Sequence, residues 1–322
     1  MLAVYAHAVN PSDPLDALTV GQIDLPDTPA AWVTVNVKAV SINHHDVWAL
    51  RGQALRAEQV PMILGTDAAG VTDDGREVIV YAVVGDPAAG FGDETTDPGR
   101  TMLSEKYPGT LAEQVRVPAR NLVDKPAHMS WEEAACLPTA YLTAYRMLTT
   151  RGQVQPGETV LVQGAAGGVA TACIVLARAM GANVWVTSRD ADKRDWALSI
   201  GADQVFESGQ RLPSKVDAVM ESVGAATWEH SIRSLRPGGR IVIAGATTGG
   251  MPPAQLNHIF FLQLSILGST MGTLTEFENL ISFMEETGTR PVIDRVLPMA
   301  EAREALQAME SGNVKGKIVL LP

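Results

Sequence analysis

Few cysteines, no excess of basic residues and no long apolar run separate this sequence from several specialised classes of protein. Its two cysteines, Cys136 and Cys173, allow at most one disulfide bond, and we interpret both as small buried apolar residues. The formal charge of −11 argues against the basic surface that sequence-independent binding of nucleic acid requires. The longest apolar stretch, residues 259–267, is too short to span a bilayer and contains Gln263.

The N-terminus and the composition are those of an ordinary globular protein. The first residues lack the basic start and long apolar core of a secretory signal peptide, so we do not expect secretion. Together with the acidic charge and the short apolar stretch, this predicts a cytoplasmic protein without membrane or nucleic-acid partners. Hydrophobic residues make up 46% of the chain and charged residues 19%. A length of 322 residues suffices for two domains, each with its own core.

A glycine-rich turn at residues 164–170 is the most informative motif. It follows an apolar run at 160–162 that is typical of a buried parallel strand, and it precedes helix-spaced apolar residues at 169–180. Glycine lets the backbone approach a diphosphate, and the following helix directs free N–H groups at the anion. The alternative is a glycine loop that binds nothing. We favour a dinucleotide site formed by Gly164, Ala165, Ala166, Gly167, Gly168 and Val169.

The residues after the next predicted strand, 183–187, indicate which dinucleotide binds. An NAD site would place Asp or Glu about 20 residues past the glycines, where it binds the adenosine ribose 2′-hydroxyl. This sequence has Ser188 there, followed by Arg189 and Lys193. A small hydroxyl beside two cations suits a 2′-phosphate, so we expect NADPH, with NADH less favoured. The alternative is that both cations are solvated charges at the start of a helix.

The pattern of apolar residues changes near residue 154. Before it, short alternating strands and tight turns suggest a small barrel, interrupted by an irregular lobe at residues 85–108. After it, strands alternate with helices, as βαβ winding requires. One of these strands ends at Ala244 and Gly245, where a cofactor could approach. The predicted strands are 159–163, 183–187, 216–221, 240–244 and 263–268, and the predicted helices lie near 168–180, 191–199 and 225–235.

Seven short segments, spread over nearly the whole chain, resemble the medium-chain dehydrogenase/reductase superfamily: residues 38–46, 64–70, 109–113, 141–145, 163–169, 236–239 and 316–319. The resemblance implies an α/β protein with a GroES-like β-barrel catalytic domain, residues 1–125 and 273–322. It also implies a Rossmann domain, a doubly wound parallel sheet that binds NADPH, at residues 126–272. The most similar branch is that of the zinc-independent quinone oxidoreductases. In this family the edge strand of the Rossmann domain joins two subunits, so the resemblance also implies a homodimer.

The sequence departs from the zinc-dependent members of this family at the ligand positions. Those enzymes hold the catalytic metal with a Cys, a His and a second Cys, and a Glu follows the His. The resemblance equates these positions with Asn43, Thr66, Thr139 and Asp67, and amides and hydroxyls are poor ligands for zinc. The lobe at 85–108 also lacks the four cysteines of a structural zinc site, so we expect no metal. The alternative is a rearranged site that uses His44, His45 and Asp46 or Asp67.

Without zinc, an acceptor that is already electrophilic fits better than a plain alcohol. The resemblance therefore implies an NADPH-dependent reductase of a quinone or another activated carbonyl compound, of the EC 1.6.5 or 1.3.1 type. We predict that Asn43 donates a hydrogen bond in the site, that His45 protonates the product, and that Trp48 forms an aromatic wall. For each of these residues, the alternative is a purely structural role. The resemblance adds His44 and Thr139 to the cofactor-binding residues.

Two further functions remain as alternatives. A reductase of enones or enoyl thioesters would use the same hydride geometry, but relatives of that kind have a catalytic tyrosine soon after the Asn motif. Residues 48–55 contain no tyrosine. The third function is a non-catalytic NADPH-binding protein, since binding a cofactor does not prove turnover.

Overall fold

The computed structural model describes all 322 residues, which divide into two compact units. Unit 1 comprises Met1–Ala140, Thr273–Ile281 and Ile293–Pro322, and unit 2 comprises Tyr141–Gly272 and Ser282–Val292. Most of the C-terminal tail therefore belongs to the same unit as the N-terminal part of the chain. None of the helices is both long enough and apolar enough to cross a membrane.

The chain forms 18 strands and nine α-helices. The strands are β1 (Leu2–Ala6), β2 (Leu18–Gln22), β3 (Val33–Ser41), β4 (Met62–Ile63), β5 (Asp67–Thr72), β6 (Glu77–Val80), β7 (Val83–Val84), β8 (Thr101–Met102), β9 (Gln114–Val117), β10 (Leu122–Asp124), β11 (Thr159–Gln163), β12 (Asn183–Thr187), β13 (Gln204–Phe206), β14 (Val216–Glu221), β15 (Leu235–Ile243), β16 (Ser265–Gly268), β17 (Ile293–Pro298) and β18 (Lys317–Leu321). The helices are α1 (His44–Leu50), α2 (Trp131–Ala135), α3 (Leu142–Arg146), α4 (Gly168–Ala179), α5 (Ala191–Ser199), α6 (Ala225–Ser234), α7 (Leu256–Phe261), α8 (Leu274–Thr287) and α9 (Ala302–Glu310).

Unit 1 is built mainly from antiparallel strands. A seven-stranded sheet has the order β10-β6-β5-β3-β18-β17, with β9 also paired to β3, and a second sheet has the order β2-β1-β4. An Asp-Gly turn, Asp74 and Gly75, connects β5 to β6, which pair antiparallel. Because β18 pairs with the end of β3, the last strand of the chain lies beside the segment that leads into α1. This pairing brings Lys317 close to the Asn43 segment, although 274 residues separate the two positions.

Unit 2 contains a parallel six-stranded sheet with the order β13-β12-β11-β14-β15-β16 and with helices in the connections. The central strand β11 is buried at Val160, Leu161 and Val162, as its apolar run predicted. The order confirms the doubly wound parallel sheet. Three strand bounds differ from the sequence prediction, one of them only because β15 ends a residue early, at Ile243. β15 begins at Leu235 because that residue already pairs with β14, and β16 begins at Ser265 because Gln263 has a positive φ of 52° that interrupts an extended strand.

Candidate active site

The glycine-rich turn lies between β11 and α4 in unit 2. Gly164 has a φ of +84°, which costs glycine little, and it turns the chain where the strand ends. A Cβ at Gly167 would meet no protein atom within 4 Å, so the space there is open to a ligand. The first amides of the twelve-residue helix α4 have no helical acceptor and can bind an anion. The other predicted residues of this turn are the buried Ala165 and Ala166, and Gly168 and Val169 in the first turn of α4.

The end of β12 carries the residues predicted to read the ribose. Ser188 is buried directly after the strand, and Arg189 is exposed beside it. Lys193 lies in the first turn of α5. Asp190 caps the N-terminus of this helix, because its side chain accepts hydrogen bonds from two backbone amides. Arg194 was missed by the sequence analysis: its Nη1 donates to the carbonyl oxygen of Ser188 over 2.7 Å. Two arginines therefore flank the serine, and this arrangement fits a 2′-phosphate.

Ala244 and Gly245 follow β15 at the carboxyl edge of the same parallel sheet. The amide of Ala244 donates to the carbonyl oxygen of Glu221 over 3.0 Å, which ties this segment to the end of β14. A Cβ at Gly245 would lie 3.0 Å from the carbonyl oxygen of Ser222, so glycine permits the close approach of the two segments. Ligands of open parallel sheets bind at this edge, and the predicted residues of unit 2 all lie there.

A polar network of unit 2 lies beneath the glycine-rich turn, and we call it the closed network: Thr187, Gln163, His230, Ser231 and Glu221. Thr187 Oγ1 donates to Gln163 Oε1 over 2.5 Å, and Gln163 Nε2 lies 3.0 Å from both His230 Nδ1 and Ser231 Oγ. Ser231 Oγ donates to Glu221 Oε2 over 2.6 Å. Gln163 and Thr187 are the last residues of β11 and β12, so the network fixes the two strand ends that carry the cofactor-binding segments.

Asn43 in unit 1 has every polar atom of its side-chain amide in a hydrogen bond. Its Oδ1 accepts from the Nζ of Lys317 over 2.6 Å, and its Nδ2 lies 3.2 Å from Thr66 Oγ1 and 2.9 Å from Asp67 Oδ2. Lys317 also donates to the carbonyl oxygen of Ile42 over 2.8 Å. The amide is therefore held in one orientation by a buried cation and a buried carboxylate.

The hydroxyl of Thr66 continues this arrangement toward Thr139, with the two Oγ1 atoms 2.9 Å apart. Thr66 is fully buried, whereas Thr139 is partly exposed within a π-helical turn, Leu137–Tyr141. We call Lys317, Asn43, Thr66 and Thr139 the open network, because it begins at a buried ammonium and ends at a side chain that reaches the surface of unit 1. Two residues predicted for the site, Asn43 and Thr139, are thus brought together through Thr66.

Two buried carboxylates support the Asn43 segment. Asp67 Oδ2 accepts from Ser41 Oγ over 2.7 Å and lies 3.2 Å from Lys317 Nζ, so the carboxylate balances the buried ammonium. Asp46 accepts from the amides of Asn43 and Gly65 over 2.8 and 3.0 Å. Burial raises the pKa of Asp46, and this outweighs the opposite effects of His45 and of the Asn43 amide. Asp46 therefore fixes the backbone on which Asn43 stands.

The two predicted histidines have different surroundings. His45 Nε2 lies 3.2 Å from Glu105 Oε1 and its Nδ1 lies 3.4 Å from Ser104 Oγ, so both ring nitrogens already have neighbours. Its role as a proton donor stays a prediction, and a proton leaving Nε2 would find Glu105 as a competing acceptor. Burial raises the pKa of Glu105, but hydrogen bonds from His45, from the Met102 amide and from Thr101 outweigh this and lower it overall.

His44 and Trp48 lie on the same face of α1, with ring centroids 6.3 Å apart. His44 is exposed to solvent, but the protein atoms packed around its ring remove part of the hydration of the imidazole. This desolvation, and then the charges of Lys317 and Arg51, lower the pKa of His44. A largely neutral imidazole at neutral pH would bind a diphosphate through a hydrogen bond rather than through charge. Its predicted contact with the cofactor and the aromatic-wall role of Trp48 stay predictions.

The donor set at the position that the resemblance equates with the family's metal site does not fit zinc. Asn43, Thr66 and Thr139 offer an amide and two hydroxyls, and the ammonium of Lys317 already binds the amide oxygen. A second cation beside this ammonium would be repelled, and zinc prefers thiolate and imidazole. No group of three or more His, Cys, Asp or Glu side chains is arranged to hold a metal ion.

Both cysteines are buried and unpaired. Burial raises the pKa of Cys173 to about 12, so its thiol is inert at neutral pH. Burial likewise raises the pKa of Cys136.

Fold and site together define an oxidoreductase with a parallel-sheet dinucleotide unit. Residues 29–127 match the family described as alcohol dehydrogenase GroES-like domain, and residues 168–286 match the family described as zinc-binding dehydrogenase. The chain belongs to the medium-chain dehydrogenase/reductase superfamily and is an enzyme of that family. The resemblance seen in the sequence and the expected GroES-like and Rossmann folds are thereby confirmed.

Proteins similar to this chain include an alcohol dehydrogenase and two reductases of coenzyme A thioesters. A solved NAD-dependent alcohol dehydrogenase is 34% identical, with a TM-score of 0.91 and full coverage of both chains. An acryloyl-coenzyme A reductase from Sulfurisphaera tokodaii is 27% identical over 90% of this chain and 92% of its own. The structure of the 2-octenoyl-CoA carboxylase reductase CinF with NADP and 2-octenoyl-CoA is 26% identical, with a TM-score of 0.91 over 99% of this chain and 87% of that chain.

Proposed function

We propose that this enzyme is an NADPH-dependent reductase of a carbon–carbon double bond conjugated to a carbonyl group. Acyl thioesters are the first acceptor class to test. The observation that carries the proposal is the open network, which places hydrogen-bond donors and a buried ammonium where zinc-dependent relatives hold a metal. Such a site can stabilise charge on a carbonyl oxygen but does not suit an unactivated alcohol.

The relatives favour this acceptor over the quinone expected from the sequence. Two of the three proteins described above carry names that specify a reductase of an unsaturated coenzyme A thioester. Quinone reduction has no counterpart among the relatives described above and becomes an outcome of the test. Loss of the tyrosine of other thioester reductases is no obstacle if another hydroxyl of the chain supplies the hydrogen bond.

The cofactor in this proposal is NADPH, held by residues of unit 2. The diphosphate would lie at the glycine-rich turn and the start of α4, and Ser188, Arg189, Lys193 and Arg194 would hold the 2′-phosphate. When bound, NADPH supplies the hydride. The NADP in the similar CinF structure supports this choice, and the absence of an acid at position 188 supports it independently.

The test follows the absorbance of NADPH with the purified enzyme and one acceptor at a time: crotonyl-CoA, an enone, a quinone, an aldehyde, or none. We expect oxidation with crotonyl-CoA or the enone and formation of the saturated product. Repeating the assay with bicarbonate separates plain reduction from reductive carboxylation by the mass of the product. Turnover of the quinone alone would restore the earlier expectation, and turnover of the aldehyde alone would make the protein an alcohol dehydrogenase.

The same proposal includes a homodimer through the edge of the parallel sheet. β16 is the edge strand, and α7 beside it exposes Leu256, Phe260 and Phe261 to 68%, 67% and 80%. Several large apolar side chains exposed on one short helix suit a subunit interface, because a contiguous apolar patch marks an interaction site. Sedimentation velocity should show a dimer, and Phe261→Glu should shift it toward the monomer.

A further inference from the structure

The hydrogen bonds of the open network have a fixed direction. The ammonium of Lys317 can only donate, and the carboxylate of Asp67 can only accept. Since Asn43 lies between them, its carbonyl oxygen must face Lys317 and its NH₂ group must face Asp67. The second hydrogen of that NH₂ group then points at Thr66 Oγ1, 3.2 Å away. Thr66 therefore accepts a hydrogen bond from Asn43.

The hydroxyl hydrogen of Thr66 has one acceptor within reach. Thr66 is fully buried, and its side chain contacts only Asn43 and Thr139 through hydrogen bonds. Asn43 acts as the donor, so the hydrogen of Thr66 must go to Thr139 Oγ1, 2.9 Å away. The opposite direction would leave a buried hydroxyl hydrogen unpaired, at a cost of about 1–3 kcal/mol.

Thr139 is thus the acceptor of the last bond, and its own hydroxyl hydrogen has no partner in the protein. Thr139 is also the partly exposed member of the open network, whose other three residues are buried. We propose that the Thr139 hydroxyl is a catalytic residue, which donates a hydrogen bond to the carbonyl oxygen of the conjugated acceptor. Thr66, Asn43 and Lys317 act through it as positioning residues. This inference rests on the proposed function.

The chemistry explains why a donor is needed at this oxygen. When hydride adds to the β-carbon, the electron pair of the carbon–carbon double bond moves onto the carbonyl oxygen and forms an enolate. A proton from solvent then adds to the α-carbon, and the saturated carbonyl compound results. Because charge on the oxygen is largest after hydride addition, a donor at Thr139 stabilises the transition state more than the substrate. Each bond of the chain polarises the next, which makes the terminal hydroxyl a better donor.

The test compares Thr139→Val, which removes the hydroxyl at constant shape, with Thr139→Ser, which restores it. We expect kcat with crotonyl-CoA to fall on the order of 10²-fold in Thr139→Val and to recover to within about threefold in Thr139→Ser. If Thr139 acts on the acceptor rather than as the cofactor contact that the resemblance implies, the dissociation constant of NADPH should not change in either variant. Thr143→Val is the matched control, because Thr143 is a buried threonine whose hydroxyl contacts only Met271 Sδ at 4.0 Å; it should keep wild-type kcat.

A double-mutant cycle tests whether the residues of the open network act together. Thr66→Val should lower kcat as Thr139→Val does. The double variant should be no slower than Thr139→Val alone, because both substitutions interrupt the same series of hydrogen bonds. Additive losses would show that Thr66 acts only on packing and would overturn the positioning role. Equal kcat in Thr139→Val and Thr139→Ser would overturn the donor while leaving the proposed reductase intact.

A binding measurement separates this inference from the proposed function. Infrared difference spectra of bound butyryl-CoA, labelled with ¹³C at the carbonyl, should show a lowered stretching frequency in wild type and Thr139→Ser but not in Thr139→Val. If the wild type reduces no acceptor yet shows this shift, the reductase proposal fails and the donor stands. If the labelled thioester shows no shift or does not bind, the donor is overturned.

Discussion

The open network of unit 1 and the closed network of unit 2 are built from the same kinds of side chain but end differently. In the closed network every donor finds an acceptor inside the protein. His230 Nε2 faces the carbonyl oxygen of Gln210 over 2.8 Å, so Nε2 carries the hydrogen and Nδ1 accepts from Gln163. Ser231 donates to the buried carboxylate of Glu221, which also accepts a hydrogen bond from Thr227, a residue outside the five named above. In the open network the last donor belongs to Thr139, which is partly exposed and whose hydroxyl hydrogen finds no acceptor inside the protein.

This difference separates a scaffold from a reactive site. A network whose hydrogen bonds are all satisfied internally can fix strand ends but has no hydrogen to offer a ligand. A network with one unused hydrogen at an accessible end can bind a substrate and transmit polarisation to it. We therefore expect changes in the closed network to affect stability and NADPH affinity. Changes in the open network should affect kcat.

The largest effect is expected for Lys317→Met, which removes the cation at the buried end of the open network. Asp67 would keep a fully buried charge without its cation, so the free energy of unfolding should fall by about 3–5 kcal/mol. The kcat of the remaining folded enzyme should also fall. Chemical denaturation and single-turnover kinetics measure the two effects.

The matched control for this variant is the double change Lys317→Met with Asp67→Asn, which removes both charges. It should regain at least half of the lost stability, because replacing both partners of a buried pair is often nearly neutral. Its kcat should stay low, since no ammonium then holds the Asn43 amide. Wild-type stability of the single variant would show that the pair contributes little.

The second effect, Gln163→Met, breaks the closed network at its centre. His230, Ser231 and Thr187 would each lose a partner, so we expect a loss of about 1–3 kcal/mol in the free energy of unfolding. Because Gln163 directly precedes Gly164, the dissociation constant of NADPH should rise several-fold. At saturating NADPH, kcat should change less than twofold. A large fall in kcat at saturation would remove the distinction between the two networks.

Local parts of both regions could be predicted from the sequence, but neither network could. The bounds of β11, β12 and α5 were predicted correctly, because apolar periodicity and the glycine turn are local signals. Asn43 was singled out as a polar side chain, yet its partner Lys317 lies 274 residues away and meets it only through the pairing of β3 with β18. Gln163 and Ser231 are likewise 68 residues apart.

The charges around Ser188 illustrate the same limit at short range. The sequence pointed to Arg189 and Lys193, but side-chain direction on the first turn of α5 decides which cation reaches the strand end. In the structure Arg194 is the residue that donates to the Ser188 carbonyl oxygen. The cationic composition near the site was therefore predictable, and the contact made by Arg194 was not.

The third effect concerns Arg194→Met, which acts at the cofactor-binding end that the closed network supports. Loss of a charge-assisted contact should raise the dissociation constant of NADPH about tenfold, or 1.4 kcal/mol, with a smaller change for NADH. Fluorescence titration with both cofactors measures this, with Arg178→Met as a control on an arginine that pairs with Asp203 instead. Equal weakening of NADPH and NADH would show that Arg194 supports the fold rather than the 2′-phosphate.

The smallest effect lies in an ion-paired cluster of unit 2 that belongs to neither network. Glu158 lies before β11, and Arg240 of β15 binds it with Nη1 3.0 Å from Oε1. Burial raises the pKa of Glu158, but the hydrogen bonds from Arg240 and from the Gln155 amide outweigh this and lower it overall. A carboxyl group with a lowered pKa in the folded state stabilises the protein above its usual value of 4.5, and this contribution is lost as the pH falls through the lowered pKa.

Glu158→Gln should therefore reduce the free energy of unfolding by about 0.5–1 kcal/mol at neutral pH, and the difference from wild type should disappear in acid. Denaturant unfolding at a series of pH values from neutral to about pH 3 measures this convergence. Because the pair touches neither network, kcat and the dissociation constant of NADPH should stay at wild-type values. Parallel stability curves at every pH would show that the charge of Glu158 does not contribute. A change in kcat would add this end of the parallel sheet to the functional region.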